Sequence, residues 1–235
     1  MVQSIEVAGF GSVTVHRRKG MRSIRISINQ TGNLRLSLPY GVSLQKGIDF
    51  LHTKKSWIQK HISEPHSLDD GAQLGQGITL RLHITNSSRV SSKYSHPLLT
   101  VHIPEHLLYE DVQKKIQNAA KKILVLQAQS VLLASLNQKA ESARYSIKSS
   151  EIKVLKSRWG SCSATNDIVL NAFLIQLPQD CIDYVMWHEL AHTKHHNHSS
   201  LFWAEVAKHV PNYLMIRKKL KRYPTAVFDT REFNL

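Results

Sequence analysis

Apolar and polar residues alternate with period two over two early stretches. Ile24, Ile26 and Ile28 are separated by Arg25 and Ser27, and Leu34, Leu36 and Leu38 by Arg35 and Ser37. That period puts every second side chain on one face of a strand. Asn29 to Asn33, with Gly32 among them, lie between the two runs, so the segment predicts an antiparallel hairpin with one apolar face. Val13 and Val15 predict a strand before it. Pro39-Tyr40-Gly41 stops the second arm, and Ser43 is placed to cap a helix running to about Ile62, with Ile48, Leu51 and Ile58 on its buried side. Ser63 to Gly77 is rich in Pro, Asp and Gly and predicts a loop. Alternation then returns at Ile78, Leu80, Leu82 and Ile84. With Leu98 to Ile103 after the polar stretch Asn86 to His96, it predicts a second hairpin with a long, mobile connection.

Beyond Pro104 the period lengthens. Val112, Ile116, Ala119, Ile123, Leu126 and Leu133 predict an amphipathic helix, interrupted near Ser130, with Lys114, Lys115, Lys121 and Lys122 on its wet face. Ile152 to Leu155 and Ile168 to Leu177 predict strands joined by a turn at Trp159 to Ser163. Pro178 and Asp180 open a helix whose apolar residues, Ile182, Val185, Met186 and Leu190, spread around most of its circumference. A helix of that kind is buried. Ser199 or Ser200 caps a short helix carrying Phe202, Trp203, Val206 and Val210, and Pro211 separates it from a last helix through Leu214 and Leu220. Arg217, Lys218, Lys219, Lys221 and Arg222 are expected to point outward. The elements describe an α+β fold: an amino-terminal antiparallel β-hairpin module over 1–104, then a mixed helical and β domain over 105–235.

The buried helix carries Trp187-His188-Glu189-Leu190-Ala191-His192. Residues i and i+4 differ by about 40° around a helix, so His188 and His192 can aim a nitrogen at one ion while Glu189 flanks it. This H-E-x-x-H run is the zinc-hydrolase arrangement, with the glutamate as general base. Zinc used in catalysis takes three protein ligands and keeps a position for water. On one straight helix His195 lies about 10.5 Å along the axis from His188, too far for both to share an ion with His192, and His196 is farther. Asn197 tolerates the left-handed conformation that ends helices, so a turn there would return His198 to the ion. His198 is therefore the expected third ligand, and Glu205 on the next helix is the alternative.

The ordered set His188-Glu189-Leu190-Ala191-His192, Asn197-His198-Ser199 and Phe202-Trp203 follows Arg158-Trp159-Gly160-Ser161-Cys162-Ser163 and Leu170-Asn171. It resembles the YgjP-type zinc metallopeptidases, relatives of the SprT and WLM proteases, and the likeness extends over most of the chain. The resemblance implies a zincin-like metallopeptidase domain, a Zn2+ cofactor, protein or peptide substrates and a strand beside the metal helix that pairs with extended substrate. Ile168 to Ile175 is the candidate for that strand. Arg158, Trp159 and Ser161 either border the substrate or serve the fold, with Trp159 as core, Gly160 at a positive dihedral and Arg158 paired with an acid. Cys162 has no triad-like partner and is not the expected nucleophile.

The 235 residues, 42% hydrophobic and 20% charged, are enough to bury a sizeable core. Two cysteines make no disulfide framework, Met1 to Phe10 lacks a signal-peptide pattern, and no apolar run is expected to reach the length of a membrane span. A cytoplasmic protein without membrane association is expected. The formal charge of +14 adds an anionic neighbour to the list of partners, nucleic acid first among them, although no recognised nucleic-acid motif holds the basic clusters together. Two other functions remain open beside peptide hydrolysis: a nucleic-acid-associated protein with a structural metal site, and a metal-dependent hydrolase of a non-peptide substrate.

Overall fold

A computed structural model describes residues 2–28, 34–61 and 67–230. Contacts divide the chain into Met1–His66 and Ser67–Leu235. The boundary expected after residue 104 is thereby corrected, because the strands between Ser67 and Pro104 share a continuous core with the helices that follow them.

In the first unit, β1 (Val2–Val7) and β2 (Gly11–Arg18) form a hairpin that alternation alone did not announce. The expected pairing of β3 (Arg25–Ile28) with β4 (Leu34–Pro39) is antiparallel, with Ile26 opposite Leu36; the turn at Asn29 to Asn33 lies outside the described residues. β2 also pairs with β4, in parallel, giving the order β1-β2-β4-β3. Ser43 caps α1 (Leu44–Thr53) through its hydroxyl, as expected, but the helix breaks at Lys54 before α2 (Lys55–His61). A Cβ on Gly47 would lie 2.8 Å from Leu38 Cδ2 and 2.9 Å from Leu36 Cδ2, so α1 rests directly on β4 where only glycine fits.

The second unit holds two three-stranded sheets. β5 (Thr79–Thr85) and β7 (Leu98–Pro104) are not the arms of a hairpin: they pair in parallel, and β6 (Ser91–Ser95), inside the supposed mobile connection, pairs antiparallel with β7. Polar Ser91-Ser92-Lys93 hides an edge strand from any hydrophobic pattern. The second sheet repeats the plan with β8 (Ser149–Lys153), β9 (Gly160–Cys162) and β10 (Asp167–Asn171) in the order β8-β10-β9.

Between the sheets runs α3 (Tyr109–Ser142), 34 residues without a break. Ser130 is absorbed by a bond from its hydroxyl to the Gln127 carbonyl, 3.0 Å. Ile116, Ala120, Leu124, Ala128, Leu132, Leu136 and Ala140 are buried at a strict spacing of four. Such a stripe advances about 40° per step, so it winds around the helix and meets different neighbours at its two ends. β7 packs on it, as do β8 and α4, these two near its end, where Asn137 meets Ser150 and Lys139 pairs with Asp183. By length and composition alone a stretch of this helix, with mean hydropathy 1.3 over 18 residues, is able to cross a membrane, which corrects the expectation that no apolar run would reach that length. Here its stripe faces the core of the protein instead.

β10 leads into a buried 3-10 helix (Ala172–Gln176), so the strand expected to run to Leu177 stops at Asn171, and the segment Ile168 to Ile175 is not one strand. Three helices complete the unit: α4 (Gln179–His192), α5 (Ser200–His209) and α6 (Tyr213–Leu220).

Candidate metal centre

α4 is apolar around most of its surface and buries Ile182, Tyr184, Val185, Met186, Leu190 and Ala191 together with Glu189. It ends at His192, and the chain turns from Thr193 onward, earlier than the turn expected at Asn197. Asn197 is not in the left-handed region. Its side chain acts differently: Oδ1 accepts a hydrogen bond from the Ser199 amide at 3.2 Å, which shapes the approach to α5. The consequence for His198 is the expected one. Its ring centroid lies 5.1 Å from that of His188 and 4.8 Å from that of His192, and one donor atom from each of the three lies within 4.8 Å of the others.

Phe202, fully buried, lies under all three rings with centroid distances of 4.9, 4.4 and 4.7 Å to His188, His192 and His198. Trp203 stacks on His198 and on Tyr213. α5 is held in place for this by Ser199, whose hydroxyl accepts from the Phe202 amide. The two aromatic residues thus hold the ring that α4 does not carry.

The donor set fits a metal ion. His188 Nε2 and His198 Nε2 are 3.2 Å apart, close to the roughly 3.4 Å that separates two nitrogens about 2.1 Å from one tetrahedral ion. Nδ1 of His192 donates a hydrogen bond to the His195 carbonyl at 3.1 Å, which keeps the proton on that nitrogen and leaves the lone pair of Nε2 for a metal. Burial, then the neighbouring His192, His198 and Arg217, push His188 down to about 3, so it stays neutral as a ligand must. Among the described residues, His188 Nδ1 is buried with no hydrogen-bond partner. His195 contributes only its carbonyl, and His196 is exposed. Glu205 is removed from consideration: its carboxylate is bound by Lys194 at 2.7 Å, by Lys208 and by the Tyr145 hydroxyl at 2.7 Å.

Glu189 is 5% exposed, and burial pushes its carboxyl up to about 8 against the opposing charge of Arg158. It lies against Gly160 on β9. A Cβ there would fall 2.6 Å from Glu189 Oε1, 2.7 Å from Cγ and 2.9 Å from Cδ. Gly160 is therefore required by close approach and not, as expected, by a positive dihedral, since its φ is not in that region. Asn171, fully buried, sets this stretch of chain. Its Nδ2 donates to the carbonyls of Leu155 and Arg158, both at 2.9 Å, while its backbone amide donates to the Trp159 carbonyl at 2.8 Å. Cys162 is held up at about 11 by burial first and then by the nearby negative charge of Glu189, which agrees with its exclusion as a nucleophile.

Next to Glu189 is a cavity of about 290 Å³ lined by Arg158, Trp159 and Tyr184, with Arg217 and Lys221 from the α6 side. The basic cluster of α6 is thus not a single outward stripe: Arg217 and Lys221 face this cavity, and Lys219 is paired with Asp180 at 2.9 Å.

A model of the YgjP-like metallopeptidase domain matches residues 22–223. The chain belongs to the YgjP-like metallopeptidase family. It is accordingly a metal-dependent peptidase, and the expected α+β class holds. Two solved structures are similar to this YgjP-like metallopeptidase over part of its length. The metallopeptidase zymogen abylysin of Pyrococcus abyssi is 25% identical with a TM-score of 0.37, over 42% of this chain and 99% of that one. The zymogen jannalysin of Methanocaldococcus jannaschii is 27% identical with a TM-score of 0.31, over 43% and 94%. The search of curated proteins found no match. In this family member, sequence reasoning missed the contact of Gly160 with Glu189 and the inward face of α6. Only the first carried a signal, a glycine between two expected strands, and in the structure it lies within β9, where a strand glycine marks close approach of another group.

Proposed function

We propose that this metallopeptidase is a zinc peptidase in which His188, His192 and His198 hold the ion and Glu189 is the general base. The observation that carries the reading is the convergence of three imidazoles beside one buried carboxylate. Three nitrogen donors suit zinc. When bound, zinc would supply a Lewis acid for the substrate carbonyl and lower the pKa of water towards neutrality. Glu189 accepts the proton of the attacking water and passes it to the leaving amine. Gly160 leaves it room to do so, and Arg158 favours its ionised form.

β10 cannot take the substrate, since β8 and β9 occupy both its edges. β9 is the edge strand on the α4 side, so extended peptide is placed along Gly160–Cys162 instead of Ile168–Ile175. Among the described residues three metal-binding side chains converge without a fourth, which favours a site open to water over a structural one. We place the enzyme in the cytoplasm, a reading supported by Cys162 and Cys181, both free.

Glu189→Gln tests the assignment. The variant should keep its zinc and its fold while losing nearly all peptide hydrolysis, because the amide cannot accept the proton. Turnover comparable with the parent would remove Glu189 from the mechanism.

A further inference from the structure

The cavity beside Glu189 carries three cations, Arg158, Arg217 and Lys221, and one carboxylate, Glu189 itself. Cations used for packing in this unit have acids of their own: Lys219 has Asp180, and Lys194 and Lys208 share Glu205. Among the described residues, Arg158, Arg217 and Lys221 have no carboxylate within ion-pair distance. Arg217 is nevertheless held in place. Its guanidinium lies 5.0 Å from the Trp203 ring, and Trp203 stacks on Tyr213 at 5.1 Å and on His198 at 5.5 Å. A flat cation stacked on a fixed indole loses little freedom on meeting an anion. Lys221 is four residues further on, so it presents to the same side of α6.

We propose that this cavity receives a substrate carboxylate, either an Asp or Glu side chain or the free carboxyl terminus, within one or two residues of the cleaved bond. The position follows from its walls, because His188 and Glu189 line both the cavity and the site of hydrolysis. The charge balance follows as well. Three cations face a single carboxylate in this cavity, so an incoming anion meets an excess of positive groups there. Tyr184 and Trp159 supply a wall for the methylene groups of such a side chain. The inference rests on the placement of Glu189 and the three histidines at the site of hydrolysis.

Full-length, zinc-loaded protein is assayed on peptides varied one position at a time, each with a free or an amidated carboxyl terminus. Cleavage next to an acidic residue or a free terminus should exceed that of a neutral, amidated peptide by about tenfold or more in kcat/KM, as expected for a charge-assisted contact. A preference that survives amidation assigns the cavity to Asp and Glu side chains, and one abolished by amidation assigns it to the terminal carboxylate. Lys221→Glu and Arg217→Glu should shift the preference towards Lys and Arg at the same position, whereas Lys218→Gln should leave the ratio unaltered. Arg217 supports the aromatic stack, so Lys221→Glu keeps the test valid if Arg217→Glu fails to fold. As a second readout, Lys221→Glu placed in the zinc-loaded Glu189→Gln variant should weaken binding of the acidic peptide by about tenfold. Equal cleavage of acidic and neutral peptides, or an equal loss of preference in Lys218→Gln, overturns the proposal. Failure to cleave any peptide would instead contradict the assignment of the catalytic site.

Discussion

Gly160→Ala separates a demand of the active site from a demand of the fold. The added Cβ would sit 2.6 Å from Glu189 Oε1, against an ordinary contact distance of 3.4 Å or more, so the carboxylate must move by about 0.8 Å. The backbone itself raises no objection, because φ at this position is not in the left-handed region and alanine is accepted there. Replacing glycine at a compatible site restricts the unfolded chain and stabilises by about 0.4–1 kcal/mol, while crowding a packed region costs about 1–3 kcal/mol. The two partly offset, and the net loss of stability should be about 1–2 kcal/mol. Catalysis has no such offset. A displacement near 1 Å of a positioned group costs about a hundredfold in rate, so kcat should fall by about that factor while zinc content and the folded spectrum are preserved. The assay is peptide hydrolysis with parallel thermal melts and metal analysis. In the Glu189→Gln background the same substitution should cost almost nothing further in activity, since the group it displaces is already inert. Full activity in Gly160→Ala, or a further hundredfold loss in the double variant, would refute the reasoning.

His198→Ala should lower zinc affinity, measured by chelator competition, far more than His195→Ala or His196→Ala, because His195 acts through its carbonyl and His196 is exposed. Equal losses from all three would contradict the site. Glu205 is held down at about 2, first by its bond to Lys194, then by Lys208. Its folded-state pKa lies below its unfolded value, so its contribution is full above about pH 5 and is lost as pH falls towards 2. The two lysines are 42% and 65% exposed, so water screens the pair and the contribution is on the order of 1–2 kcal/mol. Acid denaturation of Glu205→Gln compared with the parent measures it, and parallel curves from pH 7 to pH 2 would contradict the assignment. The net charge of +14 predicts sequence-tolerant oligonucleotide binding that weakens steeply with salt. Neutralising Lys218, Lys221 and Arg222 should lower the salt slope by about two to three units, and salt-insensitive binding in a labelled-oligonucleotide titration would remove nucleic acid from the partners.

Which features were legible in the chain depended on the range of the interactions behind them. His188, Glu189 and His192 belong to one helix, and the angle between positions four apart is a property of the backbone, so their common aim needed no knowledge of the fold. The buried character of α4 and the pairing of β3 with β4 were equally local, written in which side chains are apolar and at what spacing. The turn expected at Asn197 is not what brings His198 beside the other two rings: the helix already stops at His192, and Asn197 shapes the loop through its side chain, with Phe202 and Trp203 packed against the ring. Strand partners were less legible. Alternation says that Ile78 to Ile84 and Leu98 to Ile103 are strands, but the same alternation serves parallel and antiparallel neighbours, and polar β6 decides between them. The domain boundary shifted for the same reason, since a shared core is a long-range fact. Gly160 against Glu189, and Arg158 beside Arg217 and Lys221, join residues tens of positions apart. Only the packing of α6 and β9 around α4 brings those groups together, because no backbone period reaches across such separations.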